Sequence, residues 1–433
     1  MCGVTGVSLK NDLSFEYKGN FNAERRTKES IKAINHRGPD DSGIYSNNNG
    51  TIWLGHTRLS ILDLSKNGHQ PMVSECKSYA ISFNGEIYNF KELRKDLISK
   101  GYFFKSNSDT EVILNLYIHS GEKMFSSLNG IFSIAIWDKN KNIILLSRDG
   151  IGVKPLYYYE EENFVSFCSE IKGLIPFFNK KMSLHIQSIF NYLSFFWNPS
   201  SRMPLEKVKK VLPGEAIKIS DGKIKEKYLW YKLPQPTKKK KFISRISLNK
   251  KLTEKIRKSV HSQMISDAPL GAFLSGGLDS SSVVAFAREI NPEIQCFTYN
   301  SGGNERGMTD DLPYAIQTAK HLKVPLEIIN IDSSTLCEDF ESMVIQLDEP
   351  LADPAALNVK LICHAARKKG IKVLLSGAGG DDIFTGYRRH KAIKLQSIIN
   401  LFPNKGLKYL EKKSMNLDSN YPFFIRLSKF LNG

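Results

Sequence analysis

The sequence has few cysteines, and none of them are arranged in closely spaced pairs. The six lie at positions 2, 76, 168, 296, 337 and 363, and no Cys-x-x-Cys spacing occurs among them. Structural zinc sites and disulfide frameworks depend on short, repeated cysteine spacings. The pattern therefore argues against both and is typical of a protein in a reducing compartment, so we expect a cytoplasmic location.

Long apolar runs are also missing. The most apolar stretch, residues 189–197, is far shorter than the roughly 20 residues that a membrane-spanning helix needs. The first ten residues, MCGVTGVSLK, lack the basic region and apolar core of a signal peptide. We therefore predict neither a membrane span nor a secretion signal.

The net charge of +17 over 433 residues is high, but no nucleic-acid-binding motif accompanies it. The lysines are scattered, with local runs only at 207–210 and 238–241. There is no helix–turn–helix or zinc-finger spacing, so we predict no nucleic-acid partner. A basic surface is compatible instead with small anionic substrates.

The pattern of apolar residues changes about halfway along the chain. Up to about residue 230, short runs predict strands at 51–54, 79–83, 131–137, 143–146 and 164–167. Helices are predicted at 90–100 and 110–119, with Asp109 as the N-cap of the second. From about residue 244, strands at 270–274, 294–298, 326–331 and 372–375 alternate with amphipathic helices, which predicts a parallel sheet covered by helices. We infer domains at 2–230 and 246–433, joined by a linker at 231–245.

The stretch LGAFLSGGLDSSSVV, residues 270–284, combines a short apolar strand, a glycine turn and a helical pattern starting near Val283. Backbone N–H groups converge at such a turn and, with the helix end behind them, bind anions such as phosphate. Neither the Walker sequence nor the Rossmann glycine fingerprint is present. For a glycine turn alone, a structural role is the simpler interpretation, but the complete order Ser-Gly-Gly-x-Asp-Ser favours a phosphate site.

Cys2 supplies a thiol next to the chain start. If Met1 is removed, the free amine of Cys2 can act as base for its own thiol. Alone, a cysteine at position 2 is more simply part of a frayed terminus. Further polar turns follow, however: NHRGPDDSG at 35–43, GHTRLSI at 55–61, NGEIYN at 84–89 and SDTE at 108–111.

Together these motifs resemble the glutamine-dependent asparagine synthetases, which are class II glutamine amidotransferases. The resemblance continues through RDGIGVKPLYY at 148–158, SEIK at 169–172, LPG at 212–214, DEP at 348–350 and residues 376–387. It implies a layered αββα N-terminal-nucleophile hydrolase domain, followed by an α/β parallel-sheet domain of the PP-loop ATP pyrophosphatase type. It also implies a ligase that uses ATP, Mg²⁺, glutamine and an acceptor carboxylate. The sequence leaves the oligomeric state open, a homodimer included.

Carried over by position, the resemblance assigns roles in each half. The glutaminase residues are catalytic Cys2, Asn84 and Gly85, with Arg58, Ile61, Asn84, Glu86 and Asp109 binding glutamine. The ATP-binding residues are Leu274, Ser275, Gly276, Gly277, Asp279, Ser280, Tyr299, Ser376 and Gly377. Asp279 and Asp381 are expected to hold the magnesium ion. The structural alternatives are a surface ion pair for Arg58, a helix cap for Asp109 and a hairpin turn for Asn84 and Gly85.

Two departures from the family pattern affect the acceptor and the extent of the chain. Ala378 stands where asparagine synthetases usually carry an acidic residue, so a sugar uronate is an alternative acceptor to aspartate. The second glycine turn is SGAGGDD at 376–382, and the family continues well beyond it and supplies a basic residue there. This chain lacks that residue unless Lys405 or Lys408 substitutes for it, so we expect a fragment or a shortened product. A non-catalytic glutamine- or nucleotide-binding regulator and a glutaminase with an inactive synthetase half are the remaining alternatives.

Overall fold

The computed structural model describes residues 1–13, 19, 21–235, 244–300, 311–331, 333–351, 353, 355–387, 390 and 393. The predicted linker falls partly, and Lys405 and Lys408 entirely, outside these residues. Contacts divide the chain into two compact units. The first contains Met1–Pro269, Ser334–Lys360 and Gly370–Val373, and the second contains Leu270–Ser333, Leu361–Lys369 and Leu374–Gly433.

Two six-stranded antiparallel sheets form the centre of the first unit. In the first sheet the order is β10-β8-β9-β1-β3-β2, and in the second it is β12-β11-β7-β6-β5-β4. The strands are β1 (Gly3–Leu9), β2 (Asp41–Ser46), β3 (Ile52–Arg58), β4 (Met72–Val73), β5 (Tyr79–Ile87), β6 (Gly130–Asp138), β7 (Ile143–Arg148), β8 (Tyr157–Glu160), β9 (Phe164–Cys168), β10 (Val208–Lys210), β11 (Glu215–Ser220) and β12 (Lys223–Leu229). Apolar side chains of both sheets, such as Val4, Leu54, Ala135 and Leu146, form one buried cluster. The two sheets therefore pack face to face.

Helices cover the outer faces of the two sheets. Helix α1 (Ala23–Ala33) packs on the first sheet, while α2 (Phe90–Ser99) and α3 (Asp109–Ser120) share a buried cluster with the second. The unit also contains α4 (Ile186–Phe195), α5 (Arg245–Ser262), α8 (Ser333–Gln346) and the start of α9 (Ala355–Lys368). The predicted αββα layering is thus confirmed.

The second unit is built on a parallel sheet. Its strand order is β15-β14-β13-β16, with β13 at Leu270–Phe273, β14 at Gln295–Asn300, β15 at Leu326–Asn330 and β16 at Val373–Leu375. Strands β13 and β14 run parallel, as do β14 and β15. Helices α6 (Leu278–Ala287), α7 (Leu312–Leu322) and α10 (Gly380–Phe384) connect or follow them. This confirms the predicted α/β domain.

Two local predictions were wrong. Asp109 is not the N-cap of α3, because Ser108 occupies that position and its side chain accepts a hydrogen bond from the Glu111 N–H. Asp109 lies inside the first turn instead, buried at 4% exposure. Helix α6 begins at Leu278, five residues before the apolar pattern that predicted it, because the glycine turn itself supplies the helix start.

Among the described residues, no helix is both long and apolar enough to cross a membrane.

Candidate active site

One pocket in the first unit brings together most of the residues expected to bind glutamine. It is lined by Cys2, Arg58, Leu59, Ile61, Leu62, Gly68, Gln70, Phe83, Gly85, Glu86, Ser108, Asp109 and Thr110. Asn84 is not one of the lining residues. It is buried on β5, and its amide nitrogen lies 3.4 Å from Ser133 Oγ. Six of the seven predicted glutaminase residues therefore share this pocket.

The thiol of Cys2 lies at the chain start, just before the central strand β1. Its Sγ accepts a hydrogen bond from the Leu59 N–H at 3.4 Å. Burial raises the pKa of the Cys2 thiol, and the nearby terminal amine and the Leu59 N–H oppose that rise. Burial also lowers the pKa of the Met1 amine to about 5. An amine held in this environment is neutral at pH 7 and can accept a proton.

Arg58 supplies the positive charge of the pocket. Its guanidinium donates to the carbonyls of Ser65 at 2.9 Å, Leu62 at 3.3 Å and Asp63. Within the described part of the chain, no carboxylate makes an ion pair with this side chain. Three neutral acceptors orient the guanidinium without neutralising it, which leaves its charge available to a carboxylate ligand.

Glu86 and Asp109 supply the negative side of the pocket. Burial raises the pKa of Glu86 well above its usual value, and the charge of Asp109 adds to the rise. Burial likewise raises the pKa of Asp109 to about 7, although its Oδ2 accepts the Ile87 N–H at 3.0 Å. Two neighbouring carboxyl groups in one pocket resist full ionisation. A cationic ligand group would relieve that repulsion.

Two charged residues near Cys2 were quoted in sequence motifs but given no role. Arg37 donates through Nε to the Cys2 carbonyl at 2.8 Å and through Nη1 to Glu170 Oε1 at 2.7 Å. Burial opposes ionisation of Glu170, but contacts with His36 and Arg37 outweigh it and hold its pKa at about 2. The motifs NHRGPDDSG and SEIK carry these residues. The contact between them spans 133 positions, which local sequence reasoning could not bridge.

The motif DEP at 348–350 also lies in the first unit. Asp348 accepts hydrogen bonds from the backbone N–H groups of Ile171 and Lys172. Glu349 accepts from Tyr157, and from Tyr192 at 2.8 Å, and it pairs with Lys210 at 2.6 Å. These contacts fasten residues 348–349 beside the SEIK segment.

In the second unit, the two predicted glycine turns lie against each other. A Cβ added at Gly377 would stand 2.7 Å from the Ser280 nitrogen, and one at Gly380 would stand 2.2 Å from Asp279 Oδ2. The turns follow the neighbouring strands β13 and β16. Gly380 is the chain neighbour of Asp381, so the structure brings the two predicted metal carboxylates to adjoining turns.

The first turn is organised by its own serines. Gly276 has φ +80°, a conformation that glycine adopts readily. Ser275 Oγ lies 3.0 Å from Ser280 Oγ, and the Gly277 N–H donates to Ser275 Oγ at 3.3 Å. Leu274 is buried, and Tyr299 lies half-exposed near the end of β14.

Within the described residues, no three His, Cys, Asp or Glu side chains gather into a metal-binding cluster. Magnesium commonly uses only one or two carboxylates together with substrate phosphates, so the pair Asp279 and Asp381 fits such a role.

Known protein families match both halves of the chain. The family model described as "Glutamine amidotransferase domain" matches residues 1–230, and the model described as "Asparagine synthase" matches residues 251–421. Asparagine synthetase [glutamine-hydrolyzing] 1 of Bacillus subtilis is 37% identical over 399 residues, covering 90% of this chain and 60% of the relative. A putative asparagine synthetase [glutamine-hydrolyzing] 2 of Methanocaldococcus jannaschii is 36% identical over 418 residues, covering 90% and 76%.

The chain belongs to the glutamine-hydrolysing asparagine synthetase family. A differently named protein is also similar to this chain: Amidase chry2 of Gibberella zeae is 29% identical over 425 residues, covering 93% of this chain and 62% of that protein. The chain thus spans between 60% and 76% of the length of these three relatives.

Proposed function

We propose that the chain releases ammonia from glutamine at Cys2 and uses ATP to activate a carboxylate, aspartate first among the candidates, that the ammonia then amidates. The observation that carries the proposal is the placement of Cys2, Arg58 and Asp109 around one pocket. A thiol, an unneutralised guanidinium and a carboxyl pair match the amide, α-carboxylate and α-ammonium of a free amino acid.

In the first reaction, Cys2 Sγ attacks the side-chain amide carbon of glutamine and forms a thioester, and ammonia leaves. Removal of Met1 would place the free amine on Cys2 itself, where it takes the thiol proton and passes it to the leaving group. The Asn84 side chain and the Gly85 N–H are the proposed donors to the oxyanion, a charge that develops only in the transition state. Water then hydrolyses the thioester to glutamate.

In the second reaction, the two glycine turns hold ATP. Ser275, Gly276, Gly277, Ser280, Ser376 and Gly377 are the proposed phosphate and nucleotide contacts. Leu274 and Tyr299 frame the adenosine. A magnesium ion held by Asp279 and Asp381 would offset the charge of the pyrophosphate. The acceptor carboxylate attacks the α-phosphate, pyrophosphate leaves, and ammonia displaces AMP from the acyl-adenylate.

Glutamate release from glutamine tests the first reaction. We expect turnover by the wild-type chain and loss of at least about a thousandfold in Cys2→Ala, because the nucleophile is gone. Cys76→Ala is the matched control, since Cys76 is an exposed thiol outside the pocket. Equal turnover in Cys2→Ala and wild type would contradict the proposal.

Ala378 favours an alternative to aspartate as the acceptor carboxylate. This residue is exposed in the second glycine turn, and its N–H donates to Ser376 Oγ at 3.1 Å. A methyl group cannot accept a proton or orient ammonia, so an acceptor other than aspartate, such as a sugar uronate, is the alternative. Pyrophosphate exchange into ATP, measured with aspartate and with uronates, distinguishes the two. Exchange with aspartate alone would remove the alternative.

A further inference from the structure

A short segment that directly follows Arg58 in the chain holds its side chain in place. The Arg58 guanidinium is fixed by the carbonyls of Leu62, Asp63 and Ser65, and Ile61 and Leu62 also line the pocket. Asp63 has φ +52°, a conformation that non-glycine residues rarely adopt unless the surroundings fix it. The position of Arg58 therefore depends on what holds residues 60–63.

Asp267 holds this segment from both sides of Leu62. Its carboxylate Oδ2 accepts the Asp63 N–H at 2.8 Å, and its own N–H donates to the Ile61 carbonyl at 3.0 Å. The two hydrogen bonds flank Leu62, whose carbonyl accepts a hydrogen bond from Arg58. A hydrogen bond from a backbone N–H to a carboxylate is stronger than one between neutral groups.

Lys372 acts on Ser60, the residue before Ile61, through Asp40. The Lys372 ammonium pairs with Asp40 Oδ2 at 2.7 Å, and the same oxygen accepts the Ser60 N–H at 2.8 Å. Lys372 also contacts the stretch of chain that contains Asp267, since its backbone N–H donates to the Pro269 carbonyl at 3.1 Å. Ser60, Ile61 and Asp63 are thus all bonded directly to Asp40 or Asp267.

Neither Asp267 nor Lys372 belongs to the part of the chain that matches the amidotransferase domain. Both lie within residues 251–421, which match the asparagine synthase model, although contacts place them in the first compact unit. Asp267 lies three residues before β13, and Lys372 immediately precedes β16. Strands β13 and β16 lead into the two glycine turns.

We propose that Asp267 and Lys372 are positioning residues for the glutamine site, acting through residues 60–63 on Arg58. The inference rests on the proposed glutaminase activity and adds that the synthetase sequence completes the glutaminase pocket. Loss of either residue loosens the loop and misplaces the guanidinium. Recognition of the substrate α-carboxylate weakens, while Cys2 keeps its own contact with Arg37.

The test compares glutamine with 4-aminobutanamide, which is glutamine without its α-carboxylate. Asp267→Ala should raise the KM for glutamine about tenfold, the scale expected for loss of a charge-assisted hydrogen bond. Lys372→Ala should raise it about threefold, because this ion pair is partly solvent-exposed. The KM for 4-aminobutanamide should not change. Asp267→Asn and Lys372→Arg, which keep an acceptor and a cation, should restore most of the affinity for glutamine.

Two control variants remove matched groups elsewhere. Asp96→Ala removes a carboxylate paired with Lys100 at 2.7 Å, and Lys369→Ala removes a lysine paired with Glu327 at 2.6 Å. Both should leave the KM for glutamine as in wild type. Amide hydrogen exchange adds a readout independent of turnover: the amides of Ser60 and Asp63 should exchange faster in Asp267→Ala and Lys372→Ala.

The outcomes separate the two hypotheses. Selective loss of glutamine affinity with faster exchange at residues 60–63 supports the positioning role. Wild-type turnover with an unchanged KM in Asp267→Ala overturns the positioning role alone, as does an equal rise in KM for both substrates. A wild-type chain that hydrolyses no glutamine removes the proposed activity and the positioning role with it.

Discussion

Gly68 offers a sharp test of the glutamine site, because its lack of a side chain makes room for Arg58. A Cβ at position 68 would stand 1.9 Å from Arg58 Nη2 and 2.6 Å from its Cζ. The backbone of Gly68 does not have a positive φ, so alanine can adopt its conformation. Gly68→Ala should therefore act on the guanidinium rather than on the fold.

The size of the effect follows from the displacement. A carbon and a nitrogen in van der Waals contact need about 3.5 Å, so the guanidinium must move by roughly 1.5 Å. That shift breaks its alignment with the loop carbonyls and with a substrate carboxylate. Losing a charge-assisted contact of about 2 kcal/mol raises the KM for glutamine roughly 30-fold.

Steady-state glutamate release measures this effect. We expect the KM for glutamine to rise while kcat changes little, because Cys2 is not displaced. A thermal melt should show a midpoint within a few degrees of wild type. A Gly68→Ala variant that is folded and keeps a KM within threefold of wild type would refute the assigned role of Arg58.

Three further perturbations test other parts of the molecule. Gly380→Ala would bring a Cβ within 2.2 Å of Asp279 Oδ2 and should reduce ATP–pyrophosphate exchange about tenfold or more without changing glutaminase activity; exchange at the wild-type rate would contradict a role for Asp279. Glu170 has a folded pKa of about 2 against an ordinary 4.5, so its contribution, about 3 kcal/mol, should be present above pH 4.5 and be lost as pH falls toward 2. The free energy of unfolding, measured with urea, should fall with pH over that range more steeply in wild type than in Glu170→Gln. Equal slopes would count against the contacts of Glu170 with His36 and Arg37. Because burial raises the pKa of Asp109 to about 7, the KM for glutamine should rise as pH falls below 7, and Asp109→Asn should flatten that dependence; the same profile in both proteins would exclude Asp109 as the ammonium partner.

The strands and helices were largely predictable because their signals are local, whereas the αββα layering was predicted from the family resemblance. Short apolar runs located β5 and β6 to within a few residues, and the SGG turn was predicted between β13 and a helix, although the apolar pattern placed the start of α6 five residues too late. The cap of α3 was misassigned because Ser108 and Asp109 are both good N-caps, and only the buried pocket decides which one turns inward.

The site was predictable only in part. The resemblance assigned Cys2, Arg58 and Asp109 to one function, and the structure places them around one pocket. Apolar periodicity contains no information on such grouping, since Arg58 and Asp109 lie on different elements. Arg37, Glu170 and Asp267 had no assigned role because the contact of Arg37 with Glu170 and that of Asp267 with Asp63 join residues more than 100 positions apart.

The division of the first unit into three chain segments has a consequence for synthesis on the ribosome. The contacts of Asp267 are available once Pro269 has emerged, but Glu349 and Lys372 follow much later, and roughly 100 residues separate Pro269 from Val373. At typical elongation rates of 5–20 residues per second, that interval lasts on the order of 5 to 20 s. Until Glu349 emerges within that interval, the nascent chain exposes Tyr157, Tyr192 and Lys210 without the carboxylate that they contact in the finished protein. Lys372, which pairs with Asp40 next to Ser60, also follows the first glycine turn in the chain. The glutamine pocket therefore reaches its final form only after that turn has been translated.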